Sequence, residues 1–289
     1  MSPPAALKLF DSHCHLQDVR VHQHRDVLLR KAKSEAGVHY VAVNGCCEAD
    51  WGDVQAMHEE YAGQVVPNFG LHPWFLQGRT EGWLGGLRRA LERNPEAGLG
   101  ECGLDKTPRI VSHTTLEVQA EILTQQLRLA KELERPVSLH CVRAWGKMTE
   151  LLQKEGPFPR GVLLHSFAGP AEVVKGLSRI NAFFSVSLSV LRSPKRDRVR
   201  AALKAVPLDR LLLETDSPDA LCSVPSSGWE GGEDLARPTP VDGLPGGVNH
   251  PGNLLAVLDV VSHLIEVPSE LVARHTYRNA CRFFCKPSA

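Results

Sequence analysis

No stretch of this sequence approaches the roughly 18 consecutive apolar residues of a membrane span, and its start, MSPPAALKLFDSH, lacks the basic stretch and apolar core of a secretory signal. A soluble protein of the cytoplasm or nucleus, with no membrane partner, is expected. There is no charge excess either. Lys plus Arg and Asp plus Glu number 33 each, so no global field gathers polyanions and any contact with nucleic acid has to be local. The eight cysteines form no CxxC pair and no zinc-finger spacing. Cys14, Cys102 and Cys141 sit inside apolar runs, Cys46 and Cys47 are adjacent, and a chain this long needs no disulfide staples. Reduced thiols without a chemical role are expected.

What is present is ordinary for a globular protein: 43% hydrophobic and 23% charged residues in a 289-residue chain, close to the length of one closed α/β barrel. Eight short apolar runs recur at 7–15, 38–44, 65–72, 97–103, 136–140, 161–165, 182–187 and 211–216. Stretches of helical periodicity lie between them. In the clearest, 116–134, Val118, Ile122, Leu123, Leu127, Leu129 and Leu133 supply an apolar face, with Glu and Gln on much of the rest. Apolar strands alternating with helices indicate a parallel sheet covered by helices. The polar residues decide for closure, because His13, His15, His72, Glu101, His140, His165 and Asp216 all end their own runs, and a barrel gathers such ends around one mouth. The expectation is a single (β/α)8 barrel domain over 1–289, with a long Gly- and Pro-rich loop at 219–248. Two closing helices follow, with Asn249 and Ser269 as candidate N-cap or turn residues.

His13 and His15 lie two apart on a strand, so both rings leave the same face and can grip one ion. Glu101, His140, His165 and Asp216 each follow an apolar run that has to be buried, and a buried ionisable group needs a partner or a metal. The six together predict a dinuclear centre. Nitrogen and oxygen donors suit Zn, Mn, Mg, Ni or Fe rather than a thiolate-selecting site. Glu101 is the candidate bridge between two divalent ions, and Asp216 the candidate acceptor of a water proton. A basic cluster of Arg192, Lys195, Arg196, Arg198, Arg200 and Lys204 follows the seventh run, where it can track a phosphate backbone or simply face solvent. Trp74 and Trp145 are candidate stacking platforms for an unpaired base.

The ordered set DSHCHL, GLHPW, GECGLD, PVSLHC, LLHSFAG and LLLETDSP, from about Asp11 to the last helix, resembles the TatD-type metal-dependent deoxyribonucleases. The resemblance implies a metal-dependent hydrolase barrel with two divalent ions (Mg, Mn or Zn), acting on DNA as a 3′ to 5′ exonuclease on a single strand or 3′ end. His13, His15, Glu101, His140, His165 and Asp216 match the family's metal positions. His72 matches a histidine near the substrate phosphate, Arg143 stands for the basic residue after the fifth strand, and Asn249 belongs to an N-x-P element beside the same mouth. Cyclic amidohydrolases share the HxH start, but many of them carry a carbamylated lysine where this chain has Glu101. A barrel that keeps the ions without catalysis is the third reading.

Overall fold

The computed structural model describes residues 7–191, 196–221, 239–241, 244 and 247–285. Most of the 219–248 loop therefore lies outside the described residues. So do Arg192, Lys195 and the side chain of Arg196 from the basic cluster.

Each apolar run forms a strand: β1 Leu9–Cys14, β2 Val38–Asn44, β3 Val65–Phe69, β4 Gly98–Asp105, β5 Val137–Val142, β6 Val162–Leu164, β7 Ala182–Val186 and β8 Leu211–Leu213. The helices are α1 Arg25–Ala36, α2 Trp51–Glu60, α3 Trp83–Arg93, α4 Pro108–Val111, α5 Leu116–Glu132, α6 Trp145–Glu155, α7 Ala171–Ser178, α8 Leu188–Leu191, α9 Arg196–Ala205, α10 Leu254–Ile265 and α11 Ser269–Phe284. The strands pair in parallel in chain order, giving the expected (β/α)8 barrel. Its seam, between β1 and β8, closes just beyond the strands. Asp216 N–H donates to His13 C=O (2.9 Å), His15 N–H donates to Ser217 C=O (2.6 Å), and Thr215 donates its N–H (2.9 Å) and hydroxyl (2.5 Å) to the buried Asp11 carboxyl. Below the seam α11 packs on both strands through Phe283 and Phe284, which share a cluster with Phe10 and Leu212, and Asn279 donates to Leu208 C=O and Leu211 C=O. No helix among the described residues is long and apolar enough to cross a membrane.

Two local readings change. Helix α5 buries positions 119, 120, 122, 123, 126, 127, 129 and 130, so Gln119 and Gln126 belong to its inner stripe while Val118 is 36% exposed. The reason is the backbone beneath. Gln126 accepts from Leu71 N–H (2.8 Å) and donates to Leu71 C=O (3.1 Å), and Gln119 does the same for Asp105 (2.7 and 3.0 Å). A carboxamide, with one donor face and one acceptor face, is the side chain that satisfies a peptide group the ladder leaves unpaired. At the other correction, Asn249 caps no helix: a 3-10 turn, Pro251–Asn253, precedes α10, and Ser269 is already inside α11 behind Pro268.

Candidate metal centre

The strand ends deliver the site. His13 lies near the end of β1 with His15 just beyond it, Glu101 in the middle of β4, His140 on β5, and His165 and Asp216 after β6 and β8. Residues Arg143, Ser166 and Asp216, each soon after its strand, have left-handed backbone (φ 56, 43 and 55°), a conformation that costs about 1–3 kcal/mol and turns the chain sharply at the mouth. Gly103 lets β4 press on β5, since a Cβ there would fall 2.0 Å from the His140 carbonyl oxygen.

Glu101, almost fully buried, stands at the centre. Its Oε2 lies 3.4 Å from His13 Nε2 and 3.3 Å from His15 Nε2. Its Oε1 lies 2.9 Å from His165 Nε2, 3.1 Å from His140 Nδ1 and 3.3 Å from His72 Nε2. Asp216 Oδ1 is 3.6 Å from His15 Nε2. Donors about 2.0–2.2 Å from one ion stand roughly 3.0–3.5 Å from each other, so these separations fit ion binding, with one carboxylate oxygen toward each histidine set. The structure thus brings all six sequence-predicted donors together, and His72 with them.

The outer nitrogens sort these rings. His15 Nδ1 faces the Asn44 carbonyl (2.8 Å), His140 Nε2 faces the Asp105 carboxylate (3.4 Å), and His165 Nδ1 faces Glu214 (3.5 Å). Those outer partners are acceptors, so where a ring is neutral with its proton toward them, as at His15 and His140, its lone pair turns inward as a metal ligand requires, whereas His165 Nδ1 makes no hydrogen bond among the described residues. His13 Nδ1 meets the Ser138 hydroxyl at 3.0 Å, which can play either part. His72 is the opposite case: its Nδ1 accepts the Trp74 N–H (3.2 Å), which leaves the proton on Nε2, facing Glu101. A proton-bearing nitrogen donates a hydrogen bond; it does not ligate.

Sequence reading gave no role to Asp105, Glu214 or Cys46. Asp105 Oδ2 accepts from Trp74 Nε1 (2.7 Å) as well as His140, and these donors outweigh burial and hold its carboxyl below the usual range. Glu214, wholly buried, accepts from Ser166 N–H and hydroxyl (2.7 Å each) and from the Ser185 hydroxyl. Cys46 Sγ lies 3.8 Å from Glu101 Oε2. The only signal for the two carboxylates was their place inside GECGLD and LLLETDSP.

Electrostatics follow from one carboxylate among five imidazoles. Burial pushes His13 and His72 down to about 4. At His15 burial is outweighed by Cys46 and Glu101, and at His165 by Glu101 and Glu214, so both rise well above the ordinary value. Burial also opposes charge on Glu101, yet the surrounding histidines hold it well below the carboxylate range. Asp216 is pushed by burial up to about 7, against the opposing pull of His165 and His15.

Beside the cluster opens a cavity of about 470 Å³ lined by His140, His165 and Asp216 on one side and by Arg143, Trp145, Ser189 and Arg198 on the other. Trp74, 49% exposed, packs edge-on against His72 and His140, with the Arg109 guanidinium 5.0 Å over its ring. Asn249 is held by its neighbours: its amide donates to Thr215 C=O (2.8 Å) and accepts from His250 N–H and Asn253 (2.9 Å each). It braces the turn that carries Asp216. The seven cysteines among the described residues are all free.

Comparison with known proteins places this arrangement. A family model described as TatD related DNase matches residues 10–285. A human protein named Deoxyribonuclease TATDN3 is 31% identical over 98% of this chain and 96% of its own length. A Pantoea protein named 3′-5′ ssDNA/RNA exonuclease TatD is 28% identical over 73% of this chain and 79% of its own. The crystal structure of YjjV, a TatD homologue from Escherichia coli, superposes with a TM-score of 0.81 at 28% identity, covering 96% of this chain and 98% of that one.

Proposed function

This chain belongs to the TatD-related DNase family and is a metal-dependent hydrolase; from that premise we propose that its substrate is DNA, whose phosphodiester bonds it cleaves from the 3′ end of a single strand with two divalent ions. The observation that carries the reading is the Glu101 carboxylate, set between one histidine pair at Oε2 and another at Oε1. Bound there, two divalent ions (magnesium, manganese or zinc) supply Lewis acidity toward a phosphoryl group and toward water. Asp216, beside His15 and lining the cavity, would accept a proton from that water. His72 presents an N–H toward the position of a phosphate oxygen. The cavity holds the terminal nucleotide, with Arg143 and Arg198 as its cations and Trp145 in its wall. Trp74 is the second stacking surface. The deciding assay is release of mononucleotides from a labelled single strand, with magnesium or manganese and with chelator, beside cyclic amides. Turnover of the amides alone would return the site to the amidohydrolase reading.

The proton on His72 makes one prediction. In His72→Ala, metal content stays at the wild-type level while kcat/KM falls roughly 10- to 100-fold, the scale of a hydrogen bond to a charged group. Metal loss as large as that of a Glu101 variant would make His72 a ligand instead.

The basic cluster divides. Arg200 and Lys204 reach Glu266 at 3.3 and 2.7 Å, while Arg198 lines the cavity. Arg198→Ala is therefore expected to raise the KM for a single strand about tenfold and to flatten the salt dependence of binding by about 0.7 in log–log slope, one phosphate contact. An Arg200→Ala, Lys204→Ala double variant leaves that slope alone. Salt titrations of the three proteins decide, and equal slopes in all would make the whole cluster a solvated helix face.

A further inference from the structure

Cys46 enters the centre from the turn after β2, a turn the site itself holds rigid. Its N–H donates to the Asp50 carboxylate (2.8 and 3.1 Å), its C=O accepts His72 N–H (2.9 Å), and the preceding Gly45 C=O accepts Glu101 N–H (2.9 Å). The thiol is thus tied by backbone bonds to two of the residues around it. Its Sγ stands 3.8 Å from Glu101 Oε2 and 3.7 Å from His15 Nδ1, and His15, Cys46 and Glu101 form a donor group of ion-binding dimensions. His15 Nδ1 faces the Asn44 carbonyl, which the thiol also reaches at 3.8 Å, and the sulfur's other neighbour is the Glu101 oxygen that also faces His13, again at 3.8 Å.

A sulfur about 2.3 Å and an oxygen about 2.1 Å from one ion, at a tetrahedral angle, lie roughly 3.6 Å apart. The observed Sγ to Oε2 separation is that of neighbouring donors. Resting on the metal-centre reading above, we infer that Cys46 is a sulfur donor to the ion held by His13, His15 and Glu101, so that this half of the centre favours a thiolate-accepting ion, zinc or cobalt, over magnesium. Coordination exchanges the S–H bond for a sulfur–metal bond and releases the proton to solvent, with no change of oxidation state. Magnesium, which selects oxygen and keeps its waters, gains nothing from the sulfur. The two halves of the centre are then chemically unequal: nitrogen, oxygen and sulfur on the His13 side, nitrogen and oxygen on the His140 side.

The test is cobalt(II) loading of the metal-stripped, full-length protein, read by absorption. Ligand-field bands report bound cobalt and a near-ultraviolet charge-transfer band reports a sulfur ligand. The wild type is expected to show both. Cys46→Ser keeps the ligand-field bands and loses the charge-transfer band, and its preference for zinc over magnesium drops at least tenfold in competition. Cys47→Ser, the adjacent thiol, keeps both bands and controls for the other cysteines. Ligand-field bands without charge transfer in the wild type, or a charge-transfer band that survives Cys46→Ser, overturn the sulfur ligand alone and leave the metal centre standing. A wild type that binds no cobalt overturns both.

Discussion

Replacing Glu101 by alanine is expected to leave the protein without either ion and to lower DNA hydrolysis by about 10³-fold or more, the upper range for a single group in a preorganised electrostatic site. Every other donor can be lost from one side of the centre, whereas Glu101 meets His13 and His15 through one oxygen and His140 and His165 through the other. Without it, four neutral imidazoles and Asp216 remain, a set with too little negative charge to hold two dications in a buried place. Metal analysis after dialysis, with thermal unfolding as the check on folding, gives the answer. A Glu101→Ala protein that retains two metal equivalents would remove the bridge from the mechanism.

Asp216→Asn is expected to cost 10²- to 10⁴-fold in kcat, the usual worth of a placed general base, with KM for the strand changed by no more than a few fold. The carboxamide keeps the shape of the side chain but cannot accept a proton. The sign of the pH effect follows. A base works in its deprotonated form, so wild-type turnover falls as pH drops through the pKa of Asp216, which burial raises to about 7 and a bound cation draws lower. The acid limb therefore lies at or below that value in the wild type and is absent from Asp216→Asn. An acid limb of unchanged position in the variant would assign the base elsewhere.

The donors were legible because a barrel converts sequence position into place: a polar residue at the end of an apolar run has one destination, the mouth. The strands themselves were legible for the same reason, their apolar runs being too continuous for a half-solvated sheet. What holds the donors was not legible. Gln119 and Gln126 look, in one dimension, like the solvent face of an amphipathic helix, and only the unpaired peptide groups at Leu71 and Asp105 turn them inward. Asp105 and Glu214 stood inside recognised motifs, yet their task, facing the outer nitrogens of His140 and His165, depends on contacts 35 and 49 residues away along the chain. Cys46 was set aside for want of a CxxC partner, and its place 3.8 Å from Glu101 follows from the turn after β2, which sequence does not show. Asn249's bond to the Thr215 carbonyl, next to Asp216, likewise depends on a contact 34 residues away.

The seam between β1 and β8 gives the centre a birth order. His13 and His15 leave the ribosome early, and Asp216, whose backbone N–H closes the barrel on the His13 carbonyl, follows roughly 200 residues later. At about 5–20 residues per second that is on the order of 10 to 40 s of synthesis. Until then the first histidines have Glu101 in the chain but lack Asp216 and the strand that closes on β1, and α11, which braces the seam through Asn279, comes later still. The full donor set is therefore assembled only when translation is nearly done.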